Sequence, residues 1–401
     1  MSDRVFVTGI GIISAIGFNN EENSSALKAS RSGIGTIMLL DTIYKDEIPV
    51  AEVKATNKEL KEISEVTDKG AFSRTSLLGI IAARQALLQA NITDVKEFRT
   101  GLISATTVGG MDRSEKFYRE YLKNRSCGRL RDIITHDCAD STEIIADALR
   151  IKDYLSTIST ACSSSANAIM VGSRLIENGI LDRVLVGGVD ALTIFTLNGF
   201  NSLMILDRTG CKPFDEERNG LTLGEGAGYL IIESEQTIRQ EGKTPLCEIT
   251  GYGNTCDAFH QTALSPEGKG AFLSMQKAVE KAGITPGMID YINAHGTGTK
   301  NNDLSEGKAI QRFCGGSIPP FSSTKSFTGH TLGAAGAIEA IFCVMALKNQ
   351  WIYPNLNFRL QMTDLGFSPA TTFQYNYRLR NIMSNSFGFG GNNTSLIFSE
   401  C

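Results

Sequence analysis

The stretch STISTACSSSANAIM, residues 156–170, holds a single cysteine among small and hydroxylated residues. YLSTIST reads as a strand end, and SSSANAIMVGSRLIENG as a helix closed by Gly179. Cys162 therefore stands at a strand-to-helix junction. Free backbone N–H groups and the positive end of the helix dipole favour a thiolate there and can hold a developing oxyanion. The same residues also fit a buried, inert thiol, which is how the other eight cysteines read. Two of the four histidines stand in comparable settings. His295 follows a strand-like run in YINAHGTGT. His330 opens a small-residue helix in SSTKSFTGHTLGAAGAIEAI, with Lys325 five residues before it and Glu339 nine after. A cysteine and two histidines at element ends in glycine-rich loops make a nucleophile with an acid/base pair. Glu339 lies in an otherwise apolar helix and needs a partner; Lys325 is the natural one. Thr297 and Thr299 either cap a helix or hydrogen-bond a ligand. His136 reads as structural or surface, and His260 as intermediate.

The elements around these loops alternate. The 40 glycines fall mostly at the ends of short β-branched runs such as RVFVTGIGI, TGLISATTVGG, RVLVGGVDAL, GYLIIES and CEITGYGN. Between them lie helical patterns: FSRTSLLGIIAARQALLQAN, SSANAIMVGSRLIENG, FLSMQKAVEKAG and GAAGAIEAIFCVMALKNQ. Strands alternating with helices predict α/β layers with buried sheets. The polar segment 233–245 is the best boundary between two halves, 1–242 and 243–401. A faint echo crosses it. ACSSSANAIMVGS at 161 aligns with GHTLGAAGAIEAI at 329, setting Cys162 opposite His330. Composition adds exclusions. A chain of 401 residues, 42% hydrophobic and 20% charged, is an ordinary globular protein, and its net charge of −4 argues against nucleic acid. The N-terminus lacks a signal peptide's apolar core, and no stretch approaches 18 uninterrupted apolar residues, so no membrane partner is expected. The nine scattered cysteines form no C-x-x-C pair; they predict neither a metal site nor disulfides, and fit a reducing cytoplasm.

TACSSS, NAHGTGT, KSFTGHTLGAAG and NSFGFGGNN occur together and in this order. They resemble the motifs of the β-ketoacyl-acyl-carrier-protein synthases, the elongating condensing enzymes of the thiolase fold, over nearly the whole chain. The Cys, His, His set is that of the type II elongating enzymes. A thiolase would need a second catalytic cysteine in a different motif, and Cys401 lies outside one. The resemblance implies an α/β thiolase fold in which two related α/β halves form five αβαβα layers, the first carrying Cys162 and the second both histidines. It implies an acyltransferase that loads an acyl chain on Cys162 and extends it by two carbons, by decarboxylative Claisen condensation with malonyl carrier protein in fatty-acid biosynthesis. His295 and His330 are then neutral N–H donors to the thioester carbonyl, Lys325 tunes the electrostatics and Glu339 anchors it. Phe387 is implied as the gating residue and, with Cys162, as a source of oxyanion N–H groups. Thr297, Thr299, Phe200 and Phe389 are implied in substrate binding. No tightly bound cofactor is implied, since substrates ride on phosphopantetheine. The partners implied are acyl carrier protein and a second copy of the chain.

The helix SSANAIMVGSRLI and the loop 193–206 are candidates for the dimer surface. Lys123, Arg125, Arg129 and Arg131 in LKNRSCGRLRD, or Lys69 with Arg74, are candidates for carrier docking. Segments 133–148, 193–211 and NFRLQMTDLGFSPATTFQ depart from the family pattern, and GGNN replaces the commoner GGTN. These departures leave open a specialised synthase of a polyene or polyketide-like pathway, possibly with a partner subunit. A non-catalytic partner subunit is disfavoured by Cys162, and an unrelated cysteine hydrolase by the ordered motifs.

Overall fold

The computed structural model describes residues 3–66 and 70–401. Ten strands share one sheet: β1 (Val5–Ser14), β2 (Thr100–Ala105), β3 (Tyr154–Ile158), β4 (Arg183–Asp190), β5 (Gly226–Ser234), β6 (Cys247–Cys256), β7 (Tyr291–Asn293), β8 (Phe321–Ser322), β9 (Asn381–Phe387) and β10 (Asn392–Ser399). Their order is β8-β7-β9-β10-β6-β1-β5-β4-β2-β3. Moving outward from β1, the pairings are antiparallel, antiparallel, parallel, parallel. Moving outward from β6 they are the same. The two sets of five strands therefore repeat one topology. They are joined through a short β1–β6 pairing at Phe6↔Glu248 and Val7↔Cys247.

The helices sort into three layers. Helices α1 (Arg74–Gln89) and α3 (Cys138–Leu149) cover the outer face of the first set, on either side in sequence of α2 (Met111–Lys123). Helix α6 (Lys269–Ala282) covers the outer face of the second set, with α7 (Lys300–Cys314) against it. Between the sets lie α4 (Ser164–Glu177) and α8 (Ala335–Asn349), which touch strands of both sets and each other. This is the five-layered αβαβα architecture. Its central layer follows from composition: a helix apolar on all sides must be buried on all sides. Every residue of α8 from Ala335 to Leu347 is buried, Glu339 included. The apolar stretch Leu332–Asn349 is long enough to cross a membrane by length and composition, but it is 89% buried in this core. Gly336 sets the closest approach of the two central helices, because a Cβ there would stand 2.8 Å from Ala166 N. Their N-terminal ends are thereby brought together, and with them the loops carrying Cys162 and His330.

Three sequence expectations need correction. The segment 193–206, read as a loop, contains helix α5 (Ile194–Ser202), whose first turn is capped by Thr193 Oγ1 accepting from Thr196 N at 3.1 Å. A nine-residue helix with Gly199 inside it carries too short a period to stand out. The helix SSANAIMVGSRLI cannot form a dimer surface, since it is α4 and is packed between the two five-stranded sets. Arg74 is not a docking residue. Its guanidinium is buried against Glu225 (Nε to Oε2 2.8 Å, Nη2 to Oε1 2.6 Å) and also donates to Val53 O and Ala55 O. Removing one partner of such a pair typically costs about 3–5 kcal/mol, so Arg74 belongs to the framework. Lys69 lies outside the described residues.

Candidate active site

Between β3 and α4 the chain turns sharply, with Ala161 at φ 55°. That is the left-handed region, unfavourable for a residue with a side chain. The hydroxyls around it hold the turn. Ser164 Oγ accepts from Thr160 N at 2.8 Å, and Asn167 Nδ2 donates to Thr160 Oγ1 at 2.9 Å. Ser163 Oγ lies 2.7 Å from Asn392 Oδ1 in the GGNN segment. Ser165 Oγ accepts from Ala337 N, across the interface with α8, at 2.8 Å. The serine run thus ties the cysteine turn to the C-terminal loop on one side and to α8 on the other.

His330 sits at the matching turn before α8. Its backbone is laced to residues 222–224: His330 N donates to Thr222 O at 2.7 Å, and Gly224 N to His330 O at 3.0 Å. Gly329 before it has φ 65° and ψ −177°, a conformation open essentially to glycine alone. His295 follows β7. His295 N and Gly296 N both donate to the Glu306 carboxylate at 2.8 Å. Thr297 N and Gly298 N donate to Asp303, at 3.0 and 3.1 Å, and so does Phe214 N at 2.7 Å. Both carboxylates come from α7 and are buried. Asp190, at the end of β4, accepts from Thr107 N at 3.0 Å, Val108 N at 3.0 Å and Gly333 N at 2.7 Å, which pins the turn after His330. Sequence reading missed these three acids. Their only signal is their position three to eleven residues beyond a glycine-rich turn or at a strand end.

The two turns and the His295 loop converge. Cys162 Sγ and one nitrogen of each histidine lie within 4.8 Å of one another. The imidazole centroids are 5.4 Å apart and nearly perpendicular. Hydrogen bonds decide which nitrogen of each ring carries the proton. Leu332 N donates to His330 Nδ1 at 3.1 Å, so that nitrogen is an acceptor and the proton sits on Nε2. Lys325 Nζ donates to His295 Nδ1 at 3.2 Å, with the same result. Burial, and then the Lys325 charge, hold both histidines well below the usual imidazole pKa. Two neutral imidazoles therefore present Nε2–H groups. Such a pair suits an oxygen gaining negative charge and does not suit a metal cation, which needs lone pairs.

Lys325 also bonds Glu339, as expected, and both are buried. Burial pushes the Glu339 carboxyl up to about 7, against the lowering pull of Lys325. The cysteine departs from expectation. Burial pushes its thiol up to about 11, although Lys325 and the Phe389 N–H both pull it down. The helix N-terminus does not outweigh removal from water, so the resting group is a thiol.

The N–H beside the sulfur belongs to Phe389, not Phe387. Phe387 is the last residue of β9, buried in the second core and packed against the His295 ring at 5.9 Å. Phe389, two residues on, is half-buried and stacks on Phe200 of α5 at 5.9 Å. The N–H that the resemblance implied at Phe387 is thus that of Phe389, and Phe387 itself is buried in the core. A cavity of about 380 Å³ runs past these rings to Cys162, His295 and His330, with Thr297 and Thr299 on its wall. The two threonines are hydrogen-bonded to each other at 2.9 Å, and Thr299 also caps α7. His136 and His260 are exposed and lie outside the cluster. Arg129 and Arg131 are exposed in the loop after α2.

Relatives carry the same architecture. Residues 2–237 match the family model described as "Beta-ketoacyl synthase, N-terminal domain", and residues 246–359 the corresponding C-terminal domain. The chain is 33% identical over 411 residues to "3-oxoacyl-[acyl-carrier-protein] synthase 2" of Staphylococcus aureus (strain N315), covering 99% of this chain and 98% of the relative. It is also 33% identical over 411 residues to "Nodulation protein E" of Rhizobium meliloti (strain 1021), covering 100% of both. The solved structure "The ishigamide ketosynthase/chain length factor" superposes with a TM-score of 0.94 at 30% identity, covering 100% of both chains. The two matched domains together span most of the chain, and the chain belongs to the β-ketoacyl synthase family of acyl-transferring condensing enzymes.

Proposed function

We propose that this chain is the elongating β-ketoacyl-acyl-carrier-protein synthase of a fatty-acid pathway, with Cys162 as acyl carrier and His295 and His330 as paired donors. The observation that carries this is the fixed pair of Nε2–H groups beside the thiol. Cys162 Sγ attacks the phosphopantetheine thioester, the acyl C–S bond to the arm breaks, and the arm leaves as a thiol that takes up the proton Cys162 gives up, leaving the Cys162 thioester. The carbonyl oxygen of that step faces the N–H groups of Phe389 and Cys162. Malonyl carrier protein then places its thioester carbonyl against the two Nε2–H groups. The carboxylate C–C bond breaks, CO₂ leaves, and its electron pair passes into the enolate those donors stabilise. The enolate carbon attacks the Cys162 thioester, and Cys162 leaves as the β-ketoacyl product forms. Each step balances without a redox or metal cofactor. Relatives named as 3-oxoacyl synthases favour the fatty-acid reading over a specialised polyketide-like one.

Two surfaces complete the reading. The exposed Lys123, Arg125, Arg129 and Arg131 segment follows α2 and meets an acidic carrier protein. The chain forms a homodimer. Edge strand β3 exposes Leu155, α2 buries no residue fully, and Leu122, Leu130, Ile134 and Phe195 stand in solvent in the single chain. An apolar edge and an unpaired amphipathic face call for a partner.

Five outcomes are expected. Cys162→Ala abolishes acyl loading, read by intact mass spectrometry, and abolishes condensation, while malonyl decarboxylation persists. His295→Ala and His330→Ala each slow decarboxylation by about 10²–10³ and spare loading. Condensation by Cys162→Ala, or normal decarboxylation by both histidine variants, overturns the assignment. Alkylation of Cys162 by iodoacetamide accelerates as pH rises and does not level off below about pH 10, because the thiol titrates near 11. Lys325→Met moves that profile higher still; a plateau near neutrality refutes it. Reversing charge at Arg129 and Arg131 together raises KM for carrier-bound substrates and lowers its salt dependence, while small pantetheine thioesters turn over as before; equal damage to both refutes docking there. Light scattering at micromolar concentration gives twice the chain mass, and a monomer refutes the homodimer.

A further inference from the structure

The wall of the active-site cavity contains a cation that the chemistry above leaves unused. Along the loop from His295 to Lys300 burial falls steadily: His295 and Thr297 are buried, Thr299 is half-buried and Lys300 is exposed. All four line the same cavity. The loop is therefore a rail running from the reacting atoms to the mouth. The ammonium of Lys300 makes no ion pair or hydrogen bond among the described residues, whereas its backbone is held firmly. Arg218, itself buried, donates from Nη2 to Lys300 O at 2.9 Å and from Nε to Thr299 O at 3.4 Å. Leu264 N donates to Asn301 Oδ1 at 3.1 Å, tying the opposite lip of the mouth to the next residue of α7. The other polar groups of the mouth, Asn219, Asn301 and Thr262, are uncharged.

We infer that Lys300 binds the phosphodiester of the phosphopantetheine arm. This rests on the functional reading above and adds a recognition residue to it. The arm carries its thioester at one end, amides along its length and a single negative charge at the other end. The cavity offers Cys162 and the histidines at its base, Thr297 and Thr299 along its wall, and the unpaired Lys300 at its mouth. The charge of the arm and that of the wall thus meet where the arm leaves the protein. An exposed ammonium on a phosphodiester is a modest, salt-screened contact, good for about two- to fivefold in affinity.

Acyl-phosphopantetheine and acyl-pantetheine, which differ only in the phosphate, separate this contact from carrier-protein docking. The rate of acyl loading on Cys162 is followed by intact mass spectrometry for both. Wild-type protein favours the phosphorylated thioester by about two- to fivefold through KM, and the preference shrinks as salt rises. Lys300→Gln loads both at the same rate, and Lys300→Arg restores the preference. A wild type that does not discriminate, or a Lys300→Gln variant that still does, overturns the assignment of Lys300 while loading itself upholds the function. Failure of both thioesters to load wild-type Cys162 overturns the functional reading and this inference with it.

Discussion

Lys325 is a basic side chain at about 1% exposure, and the architecture around it is what makes that tolerable. An ammonium in low dielectric needs an anion and a hydrogen-bond acceptor in place before it arrives. Glu339 supplies the first from the central helix α8, and His295 Nδ1 the second from the loop after β7. The histidine is thereby fixed in one tautomer and kept neutral. The same charge adds to burial in depressing His330 and opposes burial at the Cys162 thiol, so one cation acts on all three groups while burial decides each outcome. Glu339 has to lie on a helix that water cannot reach, which only the middle layer provides.

The duplication gives that middle layer its use. Both halves lead from a parallel strand pair to a central helix, the first through residues 159–163 and the second through the longer segment 323–334. In the first half the turn carries a thiol, and in the second an imidazole. Gly336 lets the helix starts approach until the turns nearly touch, and Ser165 bonds across the gap. The third group, His295, comes from a different loop of the second half, one held by Asp303 and Glu306 rather than by symmetry.

What could be read from the sequence follows from how local each feature is. Cys162, His295 and His330 announce themselves because glycine, serine and threonine around a reactive residue mark a sharp turn. The Lys325–Glu339 pair was visible because a lone carboxylate in an apolar helix has to be neutralised. Asp190, Asp303 and Glu306 were invisible, since an acid that accepts backbone N–H groups looks like any surface charge until the fold buries it. Phe387 and Phe389 could not be told apart by type: they are two residues apart, one ending a strand and one beginning a turn. The thiol pKa was misjudged for a related reason. A helix N-terminus can be read from a short segment, whereas the burial that outweighs it comes from the whole fold.

The shared central layer also bears on how the chain acquires its structure. Helix α4, encoded in the first half, lies against β10 as well as β4, and α8, encoded in the second, lies against β5 as well as β9. Neither sheet can therefore cover its inner face with its own helix alone. A ribosome that has released only the first half exposes an apolar sheet surface whose cover has not yet been made. Contacts between residues far apart in sequence must close before either half is stable, which favours slow folding with an aggregation-prone intermediate. The two halves repeat one topology yet are inseparable as folding units.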